Sequence, residues 1–268
     1  MGIVEAGSVS RHRLAVVVPY RSTSRRVEAK HLVTLCDRLD GHLKRQHTPN
    51  QIFILNQVDS RPFNRGALAN AALVLLNGNS LQPFETEGSQ TFDYVAIHDV
   101  DRYPARRNAT CASASANYYS FPSASPRVLH PTSFAGGVLV VTTSLYRAVN
   151  GFSNSFWGWG EEDNDMFIRL RWCGLPPVHS ERLDECMEHR DCADCKRQKQ
   201  HVDQMTLQAH AQRARDRMLH PRRHMLRDGI STLNFTLHSA PRKIFCGRRQ
   251  QALATVLDID LSPSHSSS

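Results

Sequence analysis

The hydrophobic positions in the first part of the chain alternate between strand-like and helix-like patterns. Three apolar runs have the length and composition of buried strands: residues 14–19, 51–55 and 92–98. Between them lie two stretches with helical spacing of leucine and alanine, residues 24–46 and 65–76, and Asn64 is a favoured N-cap for the second. This β-α-β-α-β order predicts an α/β fold with a mostly parallel central sheet and helices on both faces.

The pattern of the remaining chain is less regular. Residues 112–131 are rich in serine, alanine and proline and predict a loop. The further predicted elements are, in order, a strand at 138–141, a short helix capped by Thr143 or Ser144, a helix at 161–172 that Gly174 ends, a polar helical stretch at 196–227, and two peripheral antiparallel strands at 232–238 and 254–259. We predict one domain over residues 13–261, with a disordered N-terminus (1–12) and a disordered tail (262–268).

Composition narrows the class of protein only a little. The chain has 268 residues, of which 40% are hydrophobic, and this suits one large globular domain. Much of the formal net charge of +8 lies in residues 196–227, which contain no aromatic residue for stacking on bases, so we expect no nucleic-acid partner. A solvated helix face is the preferred interpretation of this basic stretch, and attraction to acidic acceptors is the alternative.

The sequence leaves the cellular compartment open. Seven cysteines, an odd number, fit either reduced thiols or a secretory protein with one left unpaired, and Asn108 and Asn234 lie in glycosylation sequons. No apolar run has the roughly 20 residues needed to cross a bilayer, and residues 1–13 lack the apolar core of a signal peptide. We expect membrane association only through an anchor that this sequence does not contain, and a Golgi-lumen location if such an anchor exists.

Two aspartates, Asp99 and Asp101, directly follow the third predicted strand. In sheets of this kind, ligands bind at the carboxyl ends of the strands. In an extended chain the two carboxylates point to the same side, where they could hold Mg²⁺ or Mn²⁺ together with a diphosphate. For so short a motif, a solvated turn is the alternative interpretation.

Residues 151–165 (GFSNSFWGWGEEDND) combine a glycine-rich aromatic loop with acids that open a helix. Trp157 and Trp159 could stack on a sugar face, and the helix N-terminus stabilises nearby carboxylates as anions. An ionised carboxylate here could act as a general base on a hydroxyl. A helix with acids in its first turn explains the carboxylates, but not the W-G-W-G sequence before them.

These motifs resemble, in the same order, those of the β-1,4-galactosyltransferase family. Residues 157–164 are similar to its W-G-W-G-x-E-D-D pattern, and the chain follows the family from about Arg13 to Asp260. The other matching segments are 18–21 (VPYR) at the first strand end, 63–66 (FNRG) against F-N-R-A, 99–101 (DVD) against D-V-D, and 134–138 (FAGGV) against F-G-G-V. Residues 55–59 and 98–101 are similar to the branch of the family that acts on xylose of the proteoglycan linker.

The resemblance implies a GT-A-like nucleotide-sugar-binding fold, UDP-galactose as donor, Mn²⁺ as cofactor and a glycan or glycoprotein as acceptor. The implied reaction is an inverting transfer of galactose to an acceptor hydroxyl in β-1,4 linkage, with Asp163 as general base. The implied donor-site residues are Pro19, Tyr20, Arg21, Phe63, Arg65, Asp99, Val100, Asp101, Gly137 and Trp159. The implied acceptor-site residues are Trp159, Gly160, Glu162, Asp163 and Asn164, and the implied metal ligands are Asp101, His189 and Met187.

Three positions depart from the family pattern. Asn164 stands where the family has a second aspartate that grips the acceptor, so Asn164→Asp is expected to strengthen xyloside binding. Arg102 replaces an apolar residue after D-V-D, and residues 187–189 (MEH) replace the family's H-x-H or M-x-x-H metal segment. His189 is the favoured ligand there; Met187 or Glu188 could supply another, although methionine suits Mn²⁺ poorly.

Three alternatives stay open. Cys186, His189, Cys192 and Cys195 have a C-x₂-H-x₂-C-x₂-C spacing that could bind structural Zn²⁺, although it is tighter than in common zinc sites. The chain could be a transferase of the same fold that uses another UDP-sugar, such as UDP-N-acetylgalactosamine. It could also be a non-catalytic glycan-binding protein, which Asn164 and Met187 make conceivable.

Overall fold

The computed structural model describes residues 12–21, 27–77, 91–104, 118–129, 135–179, 187–189, 204–245 and 252–262. The strands in these ranges are β1 (Leu14–Tyr20), β2 (Asn50–Gln57), β3 (Tyr94–His98), β4 (Arg102–Pro104), β5 (Arg127–Val128), β6 (Val138–Thr142), β7 (Val178–His179), β8 (Met187–His189), β9 (Thr236–Leu237), β10 (Arg242–Phe245) and β11 (Ala252–Asp260). The helices are α1 (Val27–Arg45), α2 (Arg65–Asn77), α3 (Thr143–Ala148), α4 (Glu162–Trp172), α5 (Gln204–Leu219), α6 (Pro221–Arg227) and a 3₁₀ turn, Ile230–Thr232. Apart from His12 and Ser262, the ends that we expect to be disordered lie outside the described residues.

One large sheet forms the centre of the fold, with the strand order β10-β11-β2-β1-β3-β6-β5-β7. Its middle strands β11, β2, β1 and β3 run parallel, and β6 joins β3 antiparallel. The mostly parallel centre predicted from the sequence is therefore confirmed. Since parallel strands end at the same edge, the residues after β1, β2, β3 and β11 meet there.

Helices cover both faces of this sheet, as the alternation of strands and helices predicts. One core contains α2 with Ala15, Val17 and Leu139, and α4 joins it through Met166 and Leu170. The opposite core contains α1 and the intervening residues of the same strands, among them Leu14, Val16 and Val18. Successive residues of β1 thus enter different cores, which is why the whole strand is apolar and buried. No helix within the described residues is long and apolar enough to cross a membrane.

The prediction of an antiparallel, peripheral last strand is wrong. β11 runs parallel to β2 inside the sheet, and the short strands β9 and β10 pair with it antiparallel. The last strand thus pairs with a strand that is about 200 residues earlier in the sequence. Hydrophobic periodicity predicts a buried strand, but it cannot predict which distant strand will be its neighbour. Its run of buried residues, 254–259, has the composition of a strand that is covered on both faces.

Smaller differences concern element boundaries. The predicted loop at 112–131 contains a two-residue strand, β5, which pairs with β6 and β7. The N-cap of α3 is Thr142, whose side chain accepts a hydrogen bond from the Leu145 amide at 3.2 Å, and not Thr143 or Ser144. The polar stretch at 196–227 is helical from Gln204, where its description begins, but it is split into α5 and α6 before Pro221.

A buried carboxylate ties the chain ends of several elements together beneath the aromatic loop. Asp228, directly after α6, accepts hydrogen bonds from the hydroxyls of Ser153 and Ser155, the amide of Asn154, and the guanidinium of Arg217 on α5. Burial alone would raise the pKa of Asp228, but these hydrogen bonds outweigh it and hold that pKa below its usual range.

Arg217 extends this network into α4. Its guanidinium also donates to Asp165 at 3.0 Å, and Asp165 accepts from Arg169 at 2.7 Å. Arg169 in turn donates to the carbonyl of Gly151, where the aromatic segment begins. The preferred interpretation of the basic stretch as a solvated face is therefore wrong for Arg217, which is buried, although most of α5 is exposed.

We expect Asp228→Asn to lower the free energy of unfolding by about 3 kcal/mol. The amide cannot accept all of these hydrogen bonds, and Arg217 loses a buried anionic partner. Urea denaturation measures the change. Asp216→Asn is the matched control: it removes an exposed carboxylate of α5 that pairs with His224, and should cost less than about 1 kcal/mol.

The same comparison has a pH dependence. Because the pKa of Asp228 is lowered in the folded protein, its contribution is fully present above about pH 4 and is lost as the pH falls through the lowered value. The stability difference between Asp228→Asn and the wild type should therefore shrink below that pH. A cost of Asp228→Asn no larger than that of Asp216→Asn would contradict the network.

Candidate active site

The carboxyl ends of β1 and β2 are joined by an ion pair. Arg21, one residue after β1, bonds the carbonyl of Asp59 and pairs with its carboxylate at 3.6 Å. That carboxylate also accepts from the amides of Arg61 and Leu261, at 2.9 Å each. Pro19 and Tyr20 continue β1 beside β2, whereas β3 pairs with β1 only as far as Val17. Pro19 is tolerated because β1 has one neighbour at that point.

The segment 63–66 connects α2 to the aromatic loop. The Asn64 side chain accepts a hydrogen bond from the Ala67 amide at 2.9 Å, which confirms the predicted N-cap. Its amide group donates to the Asn154 carbonyl at 2.8 Å, and the Phe63 carbonyl accepts from the Gly158 amide at 2.7 Å. The first turn of α2 is thus fixed to both ends of the loop between Asn154 and Gly158.

Gly66 permits an unusually close approach of these two elements. A Cβ atom at this position would lie 2.6 Å from the carbonyl oxygen of Ser153 and 2.9 Å from Cβ of Phe152. The family motif has alanine here, so this chain brings the aromatic segment closer to α2 than an alanine allows.

The aspartates after β3 lie in a turn, not in the extended chain assumed from the sequence. The Arg102 amide donates to the carbonyl of Asp99 at 3.3 Å, and the Asp99 amide donates to the carbonyl of Gly137 at 3.0 Å. Gly137 has a left-handed φ of 73°, and a Cβ there would meet Arg102 Nε at 3.0 Å. The expectation that Asp99 and Asp101 point to the same side of an extended chain is therefore wrong.

The backbone brings the predicted metal segment next to this turn. In the small sheet of β4 and β8, His189 pairs with Arg102 and Met187 pairs with Pro104. His189 thus lies in register with the residue after Asp101. A carboxylate suits Mn²⁺ and a thioether does not, so of this set Asp101 is the best matched to the ion, and the backbone brings His189 closer to it than Met187. Cys186, Cys192 and Cys195 of the zinc alternative lie outside the described residues.

Arg65 connects the turn after β3 to the acids of α4. Its Nε donates to Asp99 at 2.8 Å, and its Nη1 donates to Asp163 at 2.8 Å. The Arg65 side chain is only 9% exposed. Within the part of the chain that the structure describes, its Nη2 has no hydrogen-bond partner. A buried, unpaired N–H donor between two carboxylates is the position from which a bound anionic or hydroxylated ligand would be contacted.

The two acids at the start of α4 differ in their surroundings. Burial and the neighbouring charge of Asp163 raise the pKa of Glu162 to about 8. Burial also raises the pKa of Asp163, but the guanidinium of Arg65 acts against it. The two carboxylates therefore differ in that Asp163 has a direct cationic partner, Arg65, which favours its charged form. Such a difference is typical of sites in which one carboxylate is the base.

The two tryptophans of the loop have different environments. Trp157 lies under the guanidinium of Arg61, 3.5 Å from its ring centre, and packs against the core. Trp159 is 46% exposed, so it is the one that can meet a ligand. His210 of α5 packs edge-on against Phe156 at 5.4 Å and hydrogen bonds the backbone of Trp159.

The acceptor-site residues implied by the resemblance also lie together. Gly160 has a left-handed φ of 108° and precedes Glu161, the N-cap residue of α4. Asn164 is exposed and donates to the carboxylate of Glu161 at 2.8 Å. The structure thus places Trp159, Gly160, Glu162, Asp163 and Asn164 on one short segment beside Arg65 and Asp99.

Sequence reasoning missed one role and several residues of the site. Arg65 is an expected donor-site residue, but its ion pair with Asp163 was not expected. Arg217 and Asp228 lie in a stretch that looks uniformly polar, and Glu161 occupies the variable position of the motif. The spacing of His210, Ala214 and Arg217 at one helical face was the available signal for a buried stripe on α5.

A parallel sheet with an acidic turn after one strand, and a carboxylate held opposite it, matches a GT-A-like nucleotide-sugar-binding fold. Residues 5–112 match the model described as the N-terminal region of glycosyl transferase group 7, and residues 118–190 match the model described as the N-terminal domain of galactosyltransferase. The chain belongs to glycosyltransferase family 7, the β-1,4-galactosyltransferase family.

Similar curated proteins are β-1,4-galactosyltransferases. The chain is 33% identical to β-1,4-galactosyltransferase 7 of Drosophila melanogaster over 185 residues, which cover 65% of this chain and 49% of that protein. It is 34% identical to the Homo sapiens protein of the same name over 180 residues, covering 64% of this chain and 47% of that one. The chain thus spans about half the length of the curated relatives it matches.

Two solved structures share the fold. The catalytic domain of Drosophila β-1,4-galactosyltransferase 7 in complex with xylobiose has a TM-score of 0.63 at 25% identity, covering 94% of this chain and 95% of that one. A mutant of the same enzyme, in complex with manganese, UDP-Gal and xylobiose, has a TM-score of 0.69 at 24% identity with the same coverage. The GT-A-like fold expected from the resemblance is confirmed.

Gly66→Ala and Gly41→Ala should change stability in opposite directions. We expect Gly66→Ala to lower the free energy of unfolding by about 1–3 kcal/mol, because its Cβ meets the backbone of Ser153. Gly41→Ala in α1 is the matched control: its Cβ meets only the flexible end of Arg45, at 3.6 Å, so the better helix former should add about 0.5–1 kcal/mol. Urea denaturation that gave both variants the same sign would contradict the close packing at Gly66.

Proposed function

We propose that this chain is an inverting galactosyltransferase that moves galactose from UDP-galactose to an acceptor hydroxyl in β-1,4 linkage. The acceptor that we favour is the xylose of a proteoglycan-type linker, and Mn²⁺ is the cofactor. The observation that carries the proposal is the convergence of Asp99, Arg65 and Asp163 at the carboxyl edge of the parallel sheet. The family supports the choice of donor and metal, and the xylobiose named for a solved relative supports the choice of acceptor.

In this proposal the donor lies across the carboxyl ends of β1, β2 and β3. Pro19, Tyr20, Arg21 and Phe63 line the uridine side, and Asp99, Val100, Asp101 and Gly137 lie near the diphosphate. Asp101 and His189 would hold Mn²⁺, which when bound supplies positive charge to offset that of the leaving diphosphate. The unpaired Nη2 of Arg65 gives the same region a buried hydrogen-bond donor.

The acceptor lies beside the start of α4. Asp163 accepts the proton from the acceptor hydroxyl, and the oxygen attacks the anomeric carbon from the face opposite the leaving UDP, so the configuration inverts in one step. Arg65 keeps Asp163 ionised and oriented before the acceptor arrives. Trp159 and Gly160 cover the reacting groups, and the exclusion of water limits hydrolysis of the donor.

We also propose that this catalytic unit works in the Golgi lumen. Membership of the family supports this location. Attachment to the membrane would then require an anchor outside the residues described.

Asp163→Asn should abolish most transfer while leaving the donor bound. We expect kcat to fall by about 10² to 10⁴-fold, the usual contribution of a general base, with the KM for UDP-galactose nearly unchanged. In the wild type, kcat should fall as the pH falls through the raised pKa of Asp163, since the base must be deprotonated. Initial rates with p-nitrophenyl β-xyloside as acceptor test both points.

The matched control for this prediction is Asp216→Asn, an exposed carboxylate on α5, which should leave kcat unchanged. Near wild-type transfer by Asp163→Asn would remove the mechanism and favour a binding protein. Preferential transfer of a sugar other than galactose, when UDP-sugars compete as donors, would instead favour a transferase of the same fold that uses another UDP-sugar.

Asp101→Asn should abolish turnover and weaken Mn²⁺-dependent binding of UDP-galactose, because it removes a charged metal ligand. Titration calorimetry with and without Mn²⁺ measures the effect. Asp216→Asn again serves as control and should keep the wild-type isotherm. If Asp101→Asn binds UDP-galactose with the same dependence on Mn²⁺ as the wild type, Asp101 is not a ligand.

A further inference from the structure

Two residues on the acceptor side of the site, three positions apart, differ in how they relate to the family motif. Asn164 replaces the second aspartate of W-G-W-G-x-E-D-D, and Glu161 occupies the variable position x. The segment therefore keeps a carboxylate beyond those of Glu162 and Asp163, but three residues earlier, or about 4.5 Å along the helix axis.

Glu161 and Asn164 are in direct contact. The Asn164 side-chain amide donates to a carboxylate oxygen of Glu161 at 2.8 Å. Glu161 occupies the N-cap position of α4, yet within the described residues its side chain makes no cap hydrogen bond. Its carboxylate is directed to Asn164 in place of the helix amides that an N-cap acid usually binds.

The backbone at Glu161 is in a conformation that favours glycine. Its φ is 74°, between the left-handed glycines of the loop, Gly158 and Gly160, and the regular turns of α4. A side chain in this region is strained, so a glutamate there needs a compensating role. The hydrogen bond to Asn164 is exposed, and by itself it is too weak to explain why a glutamate occupies this strained position.

An independent feature of the same site points to a ligand. The Arg65 side chain, which pairs with Asp163, is only 9% exposed. Its Nη2 has no hydrogen-bond partner within the described residues. Trp159, two residues before Glu161, is 46% exposed. Glu161 and Asn164 therefore lie on the same short segment as Asp163, whose partner Arg65 has a buried N–H group without a hydrogen-bond acceptor among the described residues.

We propose that Glu161 is the acceptor-specificity residue of this chain and supplies the carboxylate that the family motif places at position 164. This inference rests on the proposed galactosyl transfer. Glu161 accepts hydrogen bonds from an acceptor hydroxyl with its remaining lone pairs. Asn164, oriented by its bond to Glu161, exchanges hydrogen bonds with the adjacent hydroxyl, for which an amide has both a donor and an acceptor. The acceptor class is a glycoside with two neighbouring free hydroxyls.

This arrangement reverses the expectation for Asn164→Asp. In the single variant, a second carboxylate would face Glu161 at the distance of the present 2.8 Å hydrogen bond, and the two charges would repel. We therefore expect Asn164→Asp to raise the acceptor KM and not to lower it. Glu161→Gly together with Asn164→Asp should restore acceptor binding, because the carboxylate then stands only at the family's position.

The experiment measures acceptor and donor kinetics with UDP-galactose, Mn²⁺ and p-nitrophenyl β-xyloside. Glu161→Gln and Glu161→Gly should each raise the acceptor KM about fivefold, the difference between a charged and a neutral hydrogen bond, with the donor KM unchanged. Asn164→Asp should raise it similarly, and the double variant should return to within about twofold of the wild type.

His47→Gly is the matched control. His47 is another exposed residue with a left-handed φ, 50°, in the turn between α1 and β2. Glycine should relieve strain at either position, so Glu161→Gly and His47→Gly should both keep the wild-type Tm or exceed it. Only Glu161→Gly should change the acceptor KM, which separates recognition from a structural role.

The outcomes distinguish this inference from the function on which it rests. Wild-type transfer together with an unchanged acceptor KM in both Glu161 variants overturns the role of Glu161 alone. If the wild type transfers no galactose, binding of the xyloside by calorimetry in the presence of UDP and Mn²⁺ replaces KM. If the wild type then binds the xyloside and Glu161→Gly weakens that binding, the role of Glu161 is supported and the proposed reaction is not. If the xyloside does not bind, or binds both proteins equally, the role of Glu161 and the proposed reaction are both overturned.

Discussion

The double ion pair of Arg65 is the interaction on which the site depends. Asp99 follows a strand and Asp163 begins a helix 64 residues later in sequence, and both carboxylates approach one guanidinium. Without that buried cation, the acids of the turn and of α4 would repel each other in a region of low dielectric. Arginine suits this role because its planar fork can bond two carboxylates in fixed directions, which a lysine cannot do.

This constraint is supported from behind by a second set of charges. Asp165, about 200° around α4 from Asp163, is buried and binds both Arg169 and Arg217. Arg217 also binds Asp228, which holds the backbone and hydroxyls of residues 153–155. The helix that carries Asp163 and the segment that leads to Trp159 are therefore fixed to the same anchor. Orientation of the base does not depend on the exposed loop.

The sequence predicts the parallel centre well because its strands are short, apolar and separated by regular helices. The N-cap at Asn64 and the acidic start of α4 are local features, so they too can be read from neighbouring residues. Contacts between distant segments cannot be predicted in this way. β11 joins β2 from the far end of the chain, and Arg217 meets Asp165 across 52 positions. Periodicity describes which face of an element is apolar, but not which buried charge will lie against it.

These anchors limit where the aromatic loop can move. Residues 153–155 are held by Asp228, the Gly158 amide is bonded to Phe63, and Trp157 lies against Arg61. From Glu162 onward the chain is helical. Any closing movement of Trp159 over a ligand must therefore come from rotations within residues 158–161, where Gly158, Gly160 and Glu161 all have a positive φ. The two glycines permit those rotations at little steric cost, whereas Glu161 restricts them. The residue that we assign to acceptor recognition thus also lies in the stretch where the two glycines permit the backbone to turn, beside the Trp159 backbone that His210 hydrogen bonds.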